Sequence, residues 1–559
     1  MAALPRSVPP SRSSSAVIYE PLDTNSKQAS IRLAVLRPAP REATVRITLA
    51  HTTFASRPEY EALSYTWGSP DQVKAVELNG YPVNIRENLW SALVNLRHAR
   101  EERVLWIDAI CINQADVEER NRQVQLMAYI YSRATTVIVW LGTLEDRYMV
   151  SPHTQQRGAM ALEQDVLKEL CNRQYWKRVW IVQEIGAATQ LQVRWGTQSD
   201  SWEAFFLYAR TRSIESVIAP ALKLFNSRED RHGDSFLLAN LMEACKESLC
   251  EEPRDKVYGY IGIAHDCQDG SLPIDYSKSL FELYEDVVQF YYRNKDHSSY
   301  FTVYFSQLVQ SLLGGTKAIL NDVSKTRLDQ TIPLTTFSSL ADTSNILTIT
   351  GDFGGSISTI GPSYEEIVGI PETTRSWKVV LSKCITNQEK LRKKNEGFIR
   401  VLLEMNNTDL GKVHPIDPHF SCRCSEGMAD DARPSMEAGD WNEWESSPRF
   451  RFGPQLEDLD HGSPQPPHLF TTSNGEIGLV PHSARVGDLL IQFWQSDVVA
   501  VVRLYEDFQM RIIGRAVMAN EEYMESSKFL VPKASHGRYS TSENRLLKVD
   551  IRTLQILTQ

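Results

Sequence analysis

Apolar positions in the first third of the chain alternate between short unbroken runs and stripes spaced three or four residues apart. Ser30–Leu36 and Ala43–Leu49 read as strands separated by Pro38 and Pro40, and Tyr60–Gly68 reads as a strand that stops at Gly68-Ser69-Pro70. Val73–Leu78 and Tyr81–Ile85 flank Asn79-Gly80, a pair that tolerates positive φ at both positions and so predicts a tight hairpin. Leu89, Leu93 and Leu96 follow the candidate cap Asn88 at helical spacing. Val104–Ile112 is an apolar run broken only by Asp108, which suits a strand buried on both faces. Glu118–Arg133 keeps one side apolar and predicts a helix, and Thr135–Gly142 predicts another buried strand. Helical segments are expected at Met160–Leu170 and Tyr175–Ile185, and a closing strand at Leu191–Gly196.

The resulting order from 60 to 196 is β, hairpin, α, β, α, β, α, β, which predicts a parallel sheet with helices on both faces. Ligands of such sheets sit outside the carboxyl ends of the strands. That rule points to Thr66-Trp67-Gly68, to Asp108 through Gln114, and to the segment after Gly142. Beyond 197 the helical stripes are Phe236–Cys245, Arg254–Ala264 and Ser279–Tyr292; residues 300–400 read as loops and short strands around Phe353-Gly-Gly. Glu476–Val480, Gly487–Phe493, Val498–Leu504 and Arg511–Val517 are short β runs that fit a small antiparallel barrel or sheet.

Composition narrows the class. With 559 residues, 42% hydrophobic, and 12 Trp, the chain carries enough apolar mass for several cores and is not largely disordered. Sixty basic against 70 acidic residues, a net charge of −10, argue against generic nucleic-acid or anionic-membrane binding. No run reaches the length of a membrane span. The eight Cys form no CxxC pair, and Cys422-Arg-Cys424 has no nearby partners, so no metal site is expected and free thiols in the cytoplasm are. The plan is a disordered leader over 1–18, an α/β domain over 19–215, a helical extension over 216–300, a mixed α/β region over 301–424, an acidic disordered insertion over 425–465 and an antiparallel β domain over 466–559.

Three clusters carry candidate chemistry. In Ser64-Tyr-Thr-Trp-Gly68, either Trp67 stacks on a ligand ring beside the small Gly68, or it is a core Trp before a turn. In Trp106–Gln114, Asp108 either pairs with Arg120 or Arg122, or points with Asn113 into a pocket. In Arg178–Glu184, Trp180 and Glu184 lie four apart on a helix: either Glu184 is a carboxylate aimed at a cationic transition state, or it is a surface residue paired with Arg178 or Lys177.

Together, Tyr60–Gly68, Leu105–Gln114, Glu119-Arg120 with Gln123–Met127, Val139–Gly142 and Trp180–Glu184 resemble the ordered motifs of the fungal heterokaryon-incompatibility (HET) domain, spanning about 60 to 186. Glu252–Gly259 and Asp275–Ser277 resemble blocks that follow this domain, and Gly487–Ile491 with Val502-Arg503 resembles its C-terminal β segment. The resemblance implies fungal non-self recognition ending in programmed cell death, and a TIR-like (flavodoxin-like) α/β fold over 19–215. In TIR enzymes a Trp-x-x-x-Glu helix acts on the nicotinamide riboside of NAD. Carried over, Glu184 is catalytic, and Trp67, Gly68, Asp108, Asn113, Arg120 and Trp180 bind the substrate. Arg178 and Ile181 stand near the places where that motif carries Ser and Cys. NAD is then a substrate and no cofactor is expected; the alternative is a non-catalytic module acting through self-association or partner incompatibility proteins.

Overall fold

Val137–Trp140 (β7) is buried at every position, as a strand covered on both faces must be. It belongs to one of two compact units, Met1–Lys278 and Ser279–Gln559. The computed structural model describes residues 18–23, 29–144, 166–211, 233–294, 301–315, 346–369, 389–404, 413–415, 423–426, 465–504, 510–519 and 544–558. The leader through 17, the first part of the helix expected at Met160–Leu170, Cys422 and positions 427–464 of the acidic stretch lie outside the described residues.

The first unit is built on one mixed sheet. Its other strands are Ser30–Leu36 (β1), Arg46–Thr53 (β2), Glu61–Tyr65 (β3), Val73–Leu78 (β4), Tyr81–Arg86 (β5), Arg103–Trp106 (β6), Leu191–Trp195 (β8) and Gln198–Ser201 (β9). Their spatial order is β5-β4-β2-β1-β6-β3-β7-β8-β9. β6, β3, β7 and β8 are mutually parallel, so the expected α/β sheet is present. Counted from β3, this parallel set runs second, first, third, fourth: the chain leaves β3 to one side and returns on the other. The N-terminal strands extend the sheet through antiparallel β1–β6 and β1–β2 pairs. Asn79 and Gly80 both take positive φ, 51° and 84°, as the hairpin of β4 and β5 requires.

Helix Val117–Arg133 lies over β3, with Tyr60 donating to Ile130 O at 2.7 Å and Tyr131 donating to Leu63 O at 3.1 Å. It packs on the short helix Ile181–Ala187, all seven residues of which are buried. The run Val104–Ile112 is not one strand. β6 ends at Trp106, and Asp108–Cys111 forms a single helical turn. The cause is Asp108: inside a two-faced strand its carboxyl would lack a donor, whereas the turn brings the Ala109 amide to Oδ1 at 2.7 Å.

One buried ion pair ties the N-terminal strands to this core. Arg32 of β1 donates to both carboxylate oxygens of Glu119, at 2.5 and 2.8 Å, and to the carbonyls of Cys111 and Glu20. Glu119 in turn accepts from the Asn113 amide at 2.6 Å.

In the second unit, Ser279 and Glu282 form a capping box that starts helix Leu280–Arg293, and Tyr291 stacks on Phe305 of helix Thr302–Leu312 with centroids 4.0 Å apart. Its strands are Ile346–Ser363 (β10), His414–Pro415 (β11), Arg423–Glu426 (β12), His468–Thr472 (β13), Ile477–Val480 (β14), Leu489–Gln492 (β15), Val499–Leu504 (β16), Met510–Met518 (β17) and Asn544–Asp550 (β18). All pair antiparallel, and β10 pairs with both β13 and β15, so β10-β13-β14-β17-β16-β15 closes on itself. Phe470, Leu490, Val501 and Ile513 fill its core. The stretch read as loops and short strands is therefore, over 346–363, one long strand. It bends at Gly355, where φ is 113° and the register shifts. Among the described residues no helix is long and apolar enough to cross a membrane.

Replacing Arg32 by Met strands the Glu119 carboxylate in the interior. The expected loss is about 3–5 kcal/mol of stability, read as a lower midpoint in urea unfolding followed by tryptophan fluorescence.

Candidate functional site

The paired carboxyl ends of β3 and β7 are bridged by one side chain. Asn88, read from the sequence as a helix cap, makes no cap; its amide donates to Thr66 O and its oxygen accepts from Trp140 Nε1 at 3.1 Å. Gly68 is required beside it: φ is 84°, and a Cβ there would come within 3.3 Å of Asn88 Cβ. Arg86 covers the same end, with its guanidinium 5.1 Å from the Trp67 ring centroid and a bond to Gly68 O at 2.7 Å.

Beneath this rim sits Glu184, 1% exposed. Ser64 Oγ of β3 donates to its Oε2 and lies 2.6 Å from the Tyr175 hydroxyl, which leaves Tyr175 as donor to Ser64. Arg178 pairs with both oxygens at 3.2 Å. Burial is the largest influence on Arg178 and works against its charge, but Glu184, Tyr175 and Asp108 together outweigh it and the guanidinium pKa rises. Of the readings of Glu184, the pairing with Arg178 is present, but inside the protein rather than on its surface.

Asp108 joins this group from β6. Its Oδ2 accepts from Trp67 Nε1 at 2.8 Å. Burial, and then the nearby Glu184 charge, push its pKa from 3.8 up to about 6, against the pull of Arg178. Burial likewise raises the Tyr65 hydroxyl, and the Asp108 charge adds to the effect. The arrangement is two carboxyls, one guanidinium and a hydroxyl relay at the end of a central strand. It can hold a cation or a developing positive charge, and it can keep one carboxyl protonated at mildly acidic pH.

Trp67, Gly68, Asp108 and Glu184 therefore come together as expected. Trp180, Asn113 and Arg120 do not join them. Trp180 donates to Asp255 Oδ2 at 2.9 Å, and Tyr276 donates to Asp255 Oδ1 at 2.7 Å. Arg120 lies over the Tyr276 ring at 4.3 Å, not against Asp108, and Arg122 pairs with Glu118. The Asn113 side chain accepts from the Ala115 amide at 3.3 Å, turning the chain into helix Val117–Arg133. Asp255 is pushed from 3.8 up to about 6, by burial. Tyr175 and Asp255 were not singled out by sequence reasoning, and Ser64 and Asn88 were not read as site residues. Of the four, Ser64 alone carries a local signal, a polar residue inside an otherwise apolar strand.

Among the described residues no cluster of His, Cys, Asp and Glu could hold a metal ion. An open cavity of about 350 Å³ lies at the opposite, amino end of β3, lined by Tyr60, Glu61, Arg103 and Thr135 among others. It is not at Glu184.

Residues 60–184 match the family model described as Heterokaryon incompatibility protein (HET). The chain is 26% identical over 278 residues to heterokaryon incompatibility protein 6, OR allele, of Neurospora crassa; the match covers 43% of this chain and 40% of that protein. It thus spans less than half the length of the relative. No solved structure matches significantly.

The raised carboxyls set a pH dependence. Folded Asp108 and Asp255 keep protons that the unfolded chain releases near pH 4, so their contribution is complete below that pH and is lost as pH rises through about 6. Asp108→Asn keeps an acceptor for Trp67 and does not ionise. Its stability relative to the unmodified chain is expected to improve by on the order of 2 kcal/mol between pH 4 and 7, measured by urea midpoints across that range.

Proposed function

Because residues 60–184 carry a HET domain, we propose that the chain acts in fungal non-self recognition, and that its output is growth arrest or cell death through hydrolysis of NAD at the carboxyl edge of the first sheet. One observation carries the catalytic part: Glu184, Asp108 and Trp67 meet at the end of β3, where the parallel strands run second, first, third, fourth. That order is the flavodoxin-like one, in which ligands bind beside the first and third strands. It supports the TIR-like reading of the fold.

The chemistry follows from the charges. Cleaving the bond between nicotinamide and ribose passes through an oxocarbenium-like state, which a buried carboxylate stabilises or traps. Nicotinamide departs as a neutral base, so no strong acid is needed. Trp67 offers a face for the ring, and Ser64 with Tyr175 fixes the orientation of the Glu184 carboxylate.

A second reading has its own support. Glu184 is almost wholly buried, with both oxygens engaged, as in a residue that only holds a fold together. The chain would then be a signalling module that works through association.

Nicotinamide release from concentrated or cross-linked full-length protein separates the two. Under the first reading the protein releases nicotinamide, and Glu184→Gln lowers the rate at least about 100-fold. Glu184→Gln also leaves Arg178 unpaired and melts earlier; adding Arg178→Met recovers stability but no turnover. Absence of nicotinamide release from protein whose Glu184 is accessible supports the module.

A further inference from the structure

The segment joining helix Leu238–Ala244 to helix Asp255–Ile261 crosses the site just described. Its backbone pairs on either side of Arg178: the Leu249 amide donates to Lys177 O at 2.5 Å, and the Val179 amide donates to Leu249 O at 3.0 Å. These two bonds hold Arg178 in an extended conformation from which its side chain reaches Glu184. Two residues on, Glu251 reaches across to Arg86 at 3.1 Å, the same Arg86 that lies on Trp67 and binds Gly68 O.

The ends of the segment are anchored inside the fold, while its middle, though bonded at Leu249 and by Lys256 to Ser248 O, is open to solvent. Tyr260 donates to Cys245 O before it, and Trp180 donates to Asp255 after it. Leu249, by contrast, is 54% exposed and the Glu251 side chain 74% exposed. An exposed ion pair contributes little and gives way easily.

We propose that Ser248–Glu251 is a strap that keeps the Glu184 site shut: it fixes the backbone around Arg178 so that the guanidinium caps the carboxylate, and the Arg86–Glu251 pair is its latch. The proposal rests on Glu184 being the working group of the site. Release of the latch frees Arg178 to turn outward and opens the carboxylate to a cationic ligand entering past Trp67. Whatever associates with this face and competes for Arg86 or Glu251 activates the protein.

The test uses the full chain and two readouts that need no turnover. Amide exchange, followed by mass spectrometry, reports the Val179 and Leu249 amides; carbodiimide coupling of an amine reports access to Glu184. Glu251→Lys is expected to speed both by roughly fivefold or more, and adding Arg86→Glu to restore both. Leu249→Pro, which deletes the donor to Lys177 O and with it the amide at 249, is expected to speed exchange of the remaining Val179 amide and labelling of Glu184 alike, without touching the latch. Unchanged exchange in Glu251→Lys overturns the proposal. So does faster exchange with no faster labelling of Glu184. Nicotinamide release in the same samples bears only on the glycohydrolase reading: a strap that opens and exposes Glu184 without release retires that reading and leaves the strap standing.

Discussion

A carboxylate taken almost completely out of water must be compensated, and the compensation of Glu184 organises the whole carboxyl edge of the first sheet. Arg178 supplies the charge, Ser64 a hydroxyl hydrogen, and Tyr175 the hydrogen that orients Ser64. Each partner comes from a different place. Ser64 is on the central strand, Tyr175 lies within a turn of 3-10 helix that Arg178 follows, and Glu184 lies on the next short helix. The group therefore joins elements that would otherwise touch only through apolar side chains. Placing Asp108 nearby raises the electrostatic cost, and the fold meets it by keeping that carboxyl partly protonated.

The same device appears a second time. Trp67 and Trp180 each give an indole N–H to a buried Asp, and each Asp is displaced upward to about 6. Trp180 couples the Glu184 helix to the block Glu252–Gly259, and Tyr276 and Asn121 bring the block Asp275–Ser277 to the same spot. Sequence blocks outside the matched 60–184 region are thus part of the architecture that positions Glu184.

Local pattern made much of this legible. The Asn79-Gly80 hairpin, the buried run at β7 and the stripe of helix Val117–Arg133 are properties of neighbouring residues, and each is present as read. The carboxyl-edge rule also brought Trp67, Gly68 and Asp108 to one place. What could not be read were pairings between distant positions. Ser64 meets Glu184 across 120 residues, and Arg32 meets Glu119 across 87. Nothing in periodicity encodes such contacts. Pairing with Arg120 or Arg122 is one of the two readings that sequence proximity allows for Asp108; Arg120 instead lies over the Tyr276 face. The apolar run at 104–112 misled for a related reason, since one buried carboxyl outweighs its apolar neighbours and turns the chain.

The closed ring of the second unit bears on how the protein is made. β10 must find β13 and β15 to shut the ring, and its first seven residues pair with β18 at the far C-terminal end. During synthesis β10 emerges long before any of these partners exist. Its apolar residues and unpaired backbone groups then wait, open to association with other nascent chains, until β18 has been made. The ring of the second unit is accordingly closed by contacts of large sequence separation, which can form only after a long stretch of chain has been made.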